Sequence, residues 1–243
     1  MMRTSNPALN DNAFSLRAAA GEGEMTIQGT VNKSFILIGL IIFAAAITWA
    51  QFLNGGPAMI LTIGGAVVGL ILGLITAFKA TWAPYTAPFY AFCEGLFLGG
   101  ISAICESMFS GIVIQAVMLT IGVFIALLMA YRSGLIRATE NFKLGVVAAT
   151  GAIGLFYLVS MGLSFFGIQM PLLHDNGWMG IGLSLVIVVI AALNLVLDFD
   201  FIEKGAENKA PKYMEWYAAF GLIVTLVWLY LEILRLLMKL NKR

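Results

Sequence analysis

Seven apolar stretches, each close to the length that crosses a bilayer, take up most of the chain, at residues 34–53, 57–78, 85–105, 111–131, 144–167, 178–200 and 214–238. In helical form about 20 apolar residues span the roughly 30 Å of hydrocarbon. Backbone groups find no water there, so only helices or closed barrels can cross. The runs are continuous rather than alternating, which selects helices. The sequence therefore reads as an all-α, polytopic membrane protein with seven transmembrane helices over residues 34–243, after a polar N-terminal arm at 1–33. Breaks fall at Asn54-Gly55-Gly56-Pro57, Ala83-Pro84, Arg132-Ser133-Gly134 and Pro171, and the shortest joins make antiparallel hairpins of spans one and two and of spans three and four.

Composition excludes several classes. Of 243 residues, 60% are hydrophobic and 11% charged, whereas soluble domains carry about a quarter charged. A formal net charge of +1 without a basic patch gives no nucleic-acid partner. Cys93 and Cys105 share one apolar segment, which suits neither a disulfide nor a metal site, and the one histidine, His174, falls in a loop. Phosphate-cradling loops, His-Glu-x-x-His and Gly-x-Ser-x-Gly are missing from the sequence, and no lysine stands inside a span. The expectation is no enzyme and no bound cofactor. Lys33 is followed by a full-length span rather than a short apolar stretch with a cleavage site, so the arm reads as a retained segment.

Lysines and arginines set the orientation. With a cytoplasmic N-terminus, that side holds ten of them: Arg3, Arg17, Lys33, Lys79, Arg132, Arg137, Lys143, Lys204, Lys209 and Lys212. Lys239, Lys242 and Arg243 make three on the other side. This asymmetry places the N-terminus in the cytoplasm. Lys239 and Lys242 read as anchors at the far interface. Small residues recur at helical spacing, Gly65, Gly69 and Gly73 on span two and Gly95, Gly99 and Ser102 on span three, and span five carries Gly151, Gly154, Tyr157 and Ser160 in one band. Such bands allow close helix approach.

Four intramembrane acids are the candidate functional residues, because a carboxylate in hydrocarbon costs free energy and by default marks an ion or proton path. Glu94 falls near the middle of span three. Asp198 and Asp200 stand at the end of span six, where residues two apart point in directions about 200° different. Asn194 shares the Asp198 face. Glu232 lies in the last span on a stripe with Gly221, Thr225, Trp228, Arg235 and Lys239, and Arg235 is placed to pair with it at i,i+3. Each acid also has a plain structural reading, as a packing hydrogen bond, a solvated helix end or an internal salt bridge.

The opening Arg3-Thr4-Ser5-Asn6-Pro7-Ala8-Leu9, the run Phe92-Cys93-Glu94-Gly95-Leu96-Phe97-Leu98-Gly99, the segment Leu197 to Glu203 and the close Leu229-Tyr230-Leu231-Glu232-Ile233-Leu234-Arg235-Leu236-Leu237 together resemble the bacterial branch of the Bax inhibitor-1 family. The resemblance implies six helices around a central seventh, a bacterial cytoplasmic membrane, and a calcium leak whose pH dependence comes from a carboxylate pair. By motif Glu232 takes the helix-seven position, where Asp is usual, and Asp200 or Asp198 that of helix six, so Asp200 and Glu232 are the Ca²⁺ candidates. By estimated depth Glu94 is an alternative partner of Glu232. Two close carboxylates share a proton, and on losing it offer the hard oxygen ligands that Ca²⁺ prefers. Arg235 would bias that exchange. The expected partners are the lipid bilayer and Ca²⁺ or H⁺. The alternative is a non-conducting regulator that binds another membrane protein, such as a quality-control protease or a cell-death factor, through its N-terminal arm.

Overall fold

A computed structural model describes residues 23–166 and 177–242, with the side chain of residue 165 excepted. The first 22 residues of the polar arm with the motif at 3–9, Pro171, His174 and Arg243 lie outside the described residues. Seven long helices are present among those described: α1 (Ile27–Leu53), α2 (Ala58–Phe78), α3 (Ala83–Met108), α4 (Ile112–Arg132), α5 (Glu140–Phe165), α6 (Trp178–Glu207) and α7 (Met214–Asn241). All seven are long and apolar enough to cross a membrane. Large apolar side chains such as Phe35, Phe43, Leu70 and Ile114 point outward, as they must where the surroundings are hydrocarbon rather than water.

Helix ends follow local chemistry rather than hydropathy. Thr26 caps α1 by accepting from Gly29 N–H at 2.9 Å, so the helix begins at Ile27 and not at residue 34. Thr139 caps α5 in the same way through Phe142 N–H. Gly111 takes φ of 82° at the start of α4, a conformation open to glycine at little cost. Glu106 closes that turn, accepting from Gly111 N–H at 2.6 Å and Val113 N–H at 3.1 Å. The polar end of α6 continues to Glu207, where Lys209 at φ 53° and then Pro211 stop it.

The described chain forms two compact units, divided within α3, α6 and α7. The first comprises 23–103 and 200–223. In it α3 packs on α1 and α2 through glycines. A Cβ on Gly65 would lie 2.5 Å from the Cys93 carbonyl oxygen, on Gly95 2.5 Å from that of Ile41, and on Gly99 2.3 Å from that of Ala45. The bands on spans two and three thus are close-approach faces. Their core holds Leu37, Ala44, Ala87, Ala91 and Leu98, joined from α7 by Phe220, whose ring meets Tyr90 edge-on at 4.9 Å.

The second unit comprises 104–166, 177–199 and 224–242. Phe199 of α6 packs its ring against Phe124 and Tyr131 of α4, and Leu195, Val196, Leu229, Ile233 and Leu234 fill the interior. The span-five glycines do not make a close face here. A Cβ on Gly151 or Gly154 would meet nothing within 4 Å, and both residues are exposed. Lys239 also departs from its expected place. It is 6% exposed and its ammonium donates to the Gly180 carbonyl at 3.0 Å, because that carbonyl, in the first turn of α6, offers an acceptor within the protein. Both cysteines are free, with Cys105 Sγ 3.2 Å from Met238 Sδ.

Candidate functional site

Glu232 is the most elaborately held acid in the second unit. It is 2% exposed, in the second half of α7. Helical spacing puts Trp228 one turn before it and Arg235 one turn after, on its own face. Trp228 Nε1–H donates to Glu232 Oε1 at 3.2 Å. Arg235 Nη1–H reaches Oε1 at 3.1 Å and Oε2 at 3.0 Å. From α5, the Tyr157 hydroxyl donates to Oε1 at 2.9 Å and accepts from Arg235 Nη1–H. The guanidinium also sits over the Tyr157 ring, 5.2 Å from its centroid. The carboxylate is thus surrounded by donors of its own unit, the form of burial that a charge tolerates.

Two turns earlier on the same face of α7, Thr225 hydrogen-bonds Asp198 of α6. The other Asp198 oxygen, Oδ2, is enclosed and has no hydrogen-bond partner. One turn along α6, the Asn194 amide donates to Thr150 Oγ1 of α5 and to the Ile190 carbonyl, both at 2.8 Å. Thr150 and Tyr157 are seven residues apart on α5, as Thr225 and Glu232 are on α7. Seven residues are nearly two full turns. The polar groups of α5, α6 and α7 therefore form two levels about 10 Å apart, one around Asp198 and Asn194, the other around Glu232. Asp198 and Glu232 share no hydrogen bond.

The remaining candidates belong to the first unit. Asp200 pairs with Lys204 at 3.0 Å, i,i+4 on α6. Half-buried Glu94 lies against α2, where a Cβ on Gly69 would come 3.3 Å from its Oε2. Another acid, Glu215 at the start of α7, carries no mark of burial in the sequence. It is 1% exposed and accepts from Thr26 N–H and Thr26 Oγ1–H, each at 3.0 Å, and from the Lys33 ammonium. Lys33 also lies over the Trp216 ring. Beside this cluster Met25 N–H donates to the Ala210 carbonyl at 2.8 Å, Glu24 pairs with Lys209 at 3.2 Å, and Glu24 bridges to Pro211. Residues 24–33, assigned from sequence to the polar arm, are thus fastened across the turn between α6 and α7. Tyr157, read from sequence only as part of the span-five band, is a site residue as well; a lone tyrosine in an apolar span carries no spacing signal for its partners. Among the described residues, no three histidine, cysteine, aspartate or glutamate side chains converge as a metal site would require.

Seven bilayer-length helices with polar clusters buried among them define a polytopic helical membrane protein. A model of the Bax inhibitor 1 like family matches residues 6–242, nearly the whole chain, and the protein belongs to that family. No curated protein matches the chain, and no solved structure does.

Proposed function

We propose that this protein is a pH-dependent cation leak of a bacterial cytoplasmic membrane, with its N-terminus in the cytoplasm and Ca²⁺ as the conducted ion. The observation that carries the reading is the enclosed, partnerless Oδ2 of Asp198. A buried polar atom without a partner is unfavourable by about 1–3 kcal/mol, more when charged, and either a proton or a cation relieves it. Glu232, two turns along α7, supplies a second carboxylate on the same face. In this reading Glu232 is the gate, with Asp198 of the same unit as the second carboxylate. Arg235 competes with an arriving proton or cation for Glu232. Ca²⁺ is cargo, held in passing by hard oxygen ligands.

The test is Ca²⁺ flux into proteoliposomes across pH 5 to 8, for the wild type, Glu232→Gln and Asp198→Asn. Flux that depends on pH, and whose dependence changes in either variant, supports the reading. Unchanged pH dependence in both variants, from folded and inserted protein, rejects the gate. Absence of flux at any pH favours a regulator that binds another membrane protein.

A further inference from the structure

The two oxygens of Glu232 are held very differently. Oε1 receives three donors, Tyr157 O–H at 2.9 Å, Trp228 Nε1–H at 3.2 Å and Arg235 Nη1–H at 3.1 Å. Oε2 receives one, Arg235 Nη1–H at 3.0 Å. A carboxylate has about four lone-pair sites, two on each oxygen. Oε1 is therefore saturated, while Oε2 keeps an open acceptor position.

We propose that Glu232 works through Oε2 alone, and that Tyr157 and Trp228 are the positioning residues that hold Oε1 and aim Oε2. This division of labour deepens the gate reading and rests on it for its functional meaning. A proton or cation arriving at Oε2 finds the open position and contends with a single contact, that of Arg235. Arrival at Oε1 would disrupt three. A displaced guanidinium has a second acceptor in reach, because Arg235 Nη1 already donates to the Tyr157 oxygen. Tyr157 thus ties α5 to both partners of the pair, keeping the carboxylate in place while the arginine exchanges.

Among the described residues, the titratable and charged groups that contact Glu232 are Tyr157 from α5 and Arg235 from α7 itself. Asp198 on α6 is engaged by Thr225 two turns away, and Lys239 by the Gly180 carbonyl. Removing an Oε1 donor takes a hydrogen bond from the charged form of Glu232 without adding or removing a charge. If conduction requires that form, the pH profile of flux changes in Tyr157→Phe and in Trp228→Phe.

The experiment combines that flux profile with infrared spectroscopy of the same purified protein. The Glu232 carboxylate stretch is assigned by its loss in Glu232→Gln, or by its displacement in Glu232→Asp should the glutamine variant fail to insert. The expected result is a shifted stretch in both Tyr157→Phe and Trp228→Phe. Tyr217→Phe is the control, since the Tyr217 hydroxyl donates to the Ala77 carbonyl at 3.5 Å in the other unit. A stretch unchanged in both variants overturns the proposal whatever the flux does. A shifted stretch in a protein without flux supports the two-oxygen arrangement and rejects the gate. Flux in the wild type with an unmoved pH profile in both variants overturns the functional part.

Discussion

Lys33→Met should destabilise this protein far more than an ordinary loss of a surface charge. The Glu215 side chain is 1% exposed and Lys33 16%, whereas Glu140, paired with Lys143, is 89% exposed. Removing one partner of a buried pair leaves an uncompensated charge, at a cost of about 3–5 kcal/mol. Glu215 keeps its two Thr26 donors in the variant, which places the expected loss near the lower end, about 3 kcal/mol. Methionine keeps the length of the lysine stem and removes the ammonium, which holds Glu215 and lies over the Trp216 ring. Lys143→Met breaks an exposed i,i+3 pair and should cost under about 1 kcal/mol. Adding Glu215→Gln to Lys33→Met removes the stranded charge and should recover about half of the loss. The assay is reversible unfolding from bicelles, followed as a double-mutant cycle over positions 33 and 215. Equal losses for Lys33→Met and Lys143→Met, or simple additivity in the cycle, would refute the argument that Glu215 is a buried ion held by Lys33.

Gly99→Ala should impair assembly severely, because its Cβ would stand 2.3 Å from a backbone oxygen of Ala45 and 2.7 Å from its Cα, neither of which can swing away. Gly151→Ala meets open space and should be neutral or stabilising by about 0.5–1 kcal/mol, as alanine favours helix over glycine; unfolding midpoints of the two variants decide. Glu106→Ala removes both hydrogen bonds that close the turn into α4, for a loss of about 0.5–2 kcal/mol, and hydrogen exchange at Gly111 and Val113 should rise selectively. Asp198→Asn should hold or raise stability, since its amide puts no charge at the enclosed position of Oδ2 and keeps an acceptor for Thr225. A marked fall in its unfolding midpoint would mean that the carboxylate has a partner after all.

All seven spans were legible because hydrocarbon imposes a length and a composition that few other folds share. Their ends were not. Beyond the apolar run a helix continues while capping and pairing support it, which is why α1 starts at Ile27 and α6 runs to Glu207. Helical spacing also grouped Thr225, Trp228, Glu232, Arg235 and Lys239 on one face of α7, and each makes a polar contact there. Spacing says which residues share a face, however, and not what that face meets. The glycine faces of α2 and α3 and the glycines of α5 look alike in sequence, yet one set touches neighbouring helices and the other lies open. Glu215 shows the same gap from the other side. An acid in the first turn of a helix is ordinary, as it complements the helix dipole, so nothing in α7 alone marks it as buried. Its burial is made by Thr26 and Lys33, 189 and 182 residues away in the chain. Tyr157 meets Glu232 across 75 residues. A pairing within one helix can be inferred from residues three or four apart, but the donors that decide what a buried carboxylate does come from other helices. In this chain those donors make the difference between the two oxygens of Glu232, and only the fold brings them there.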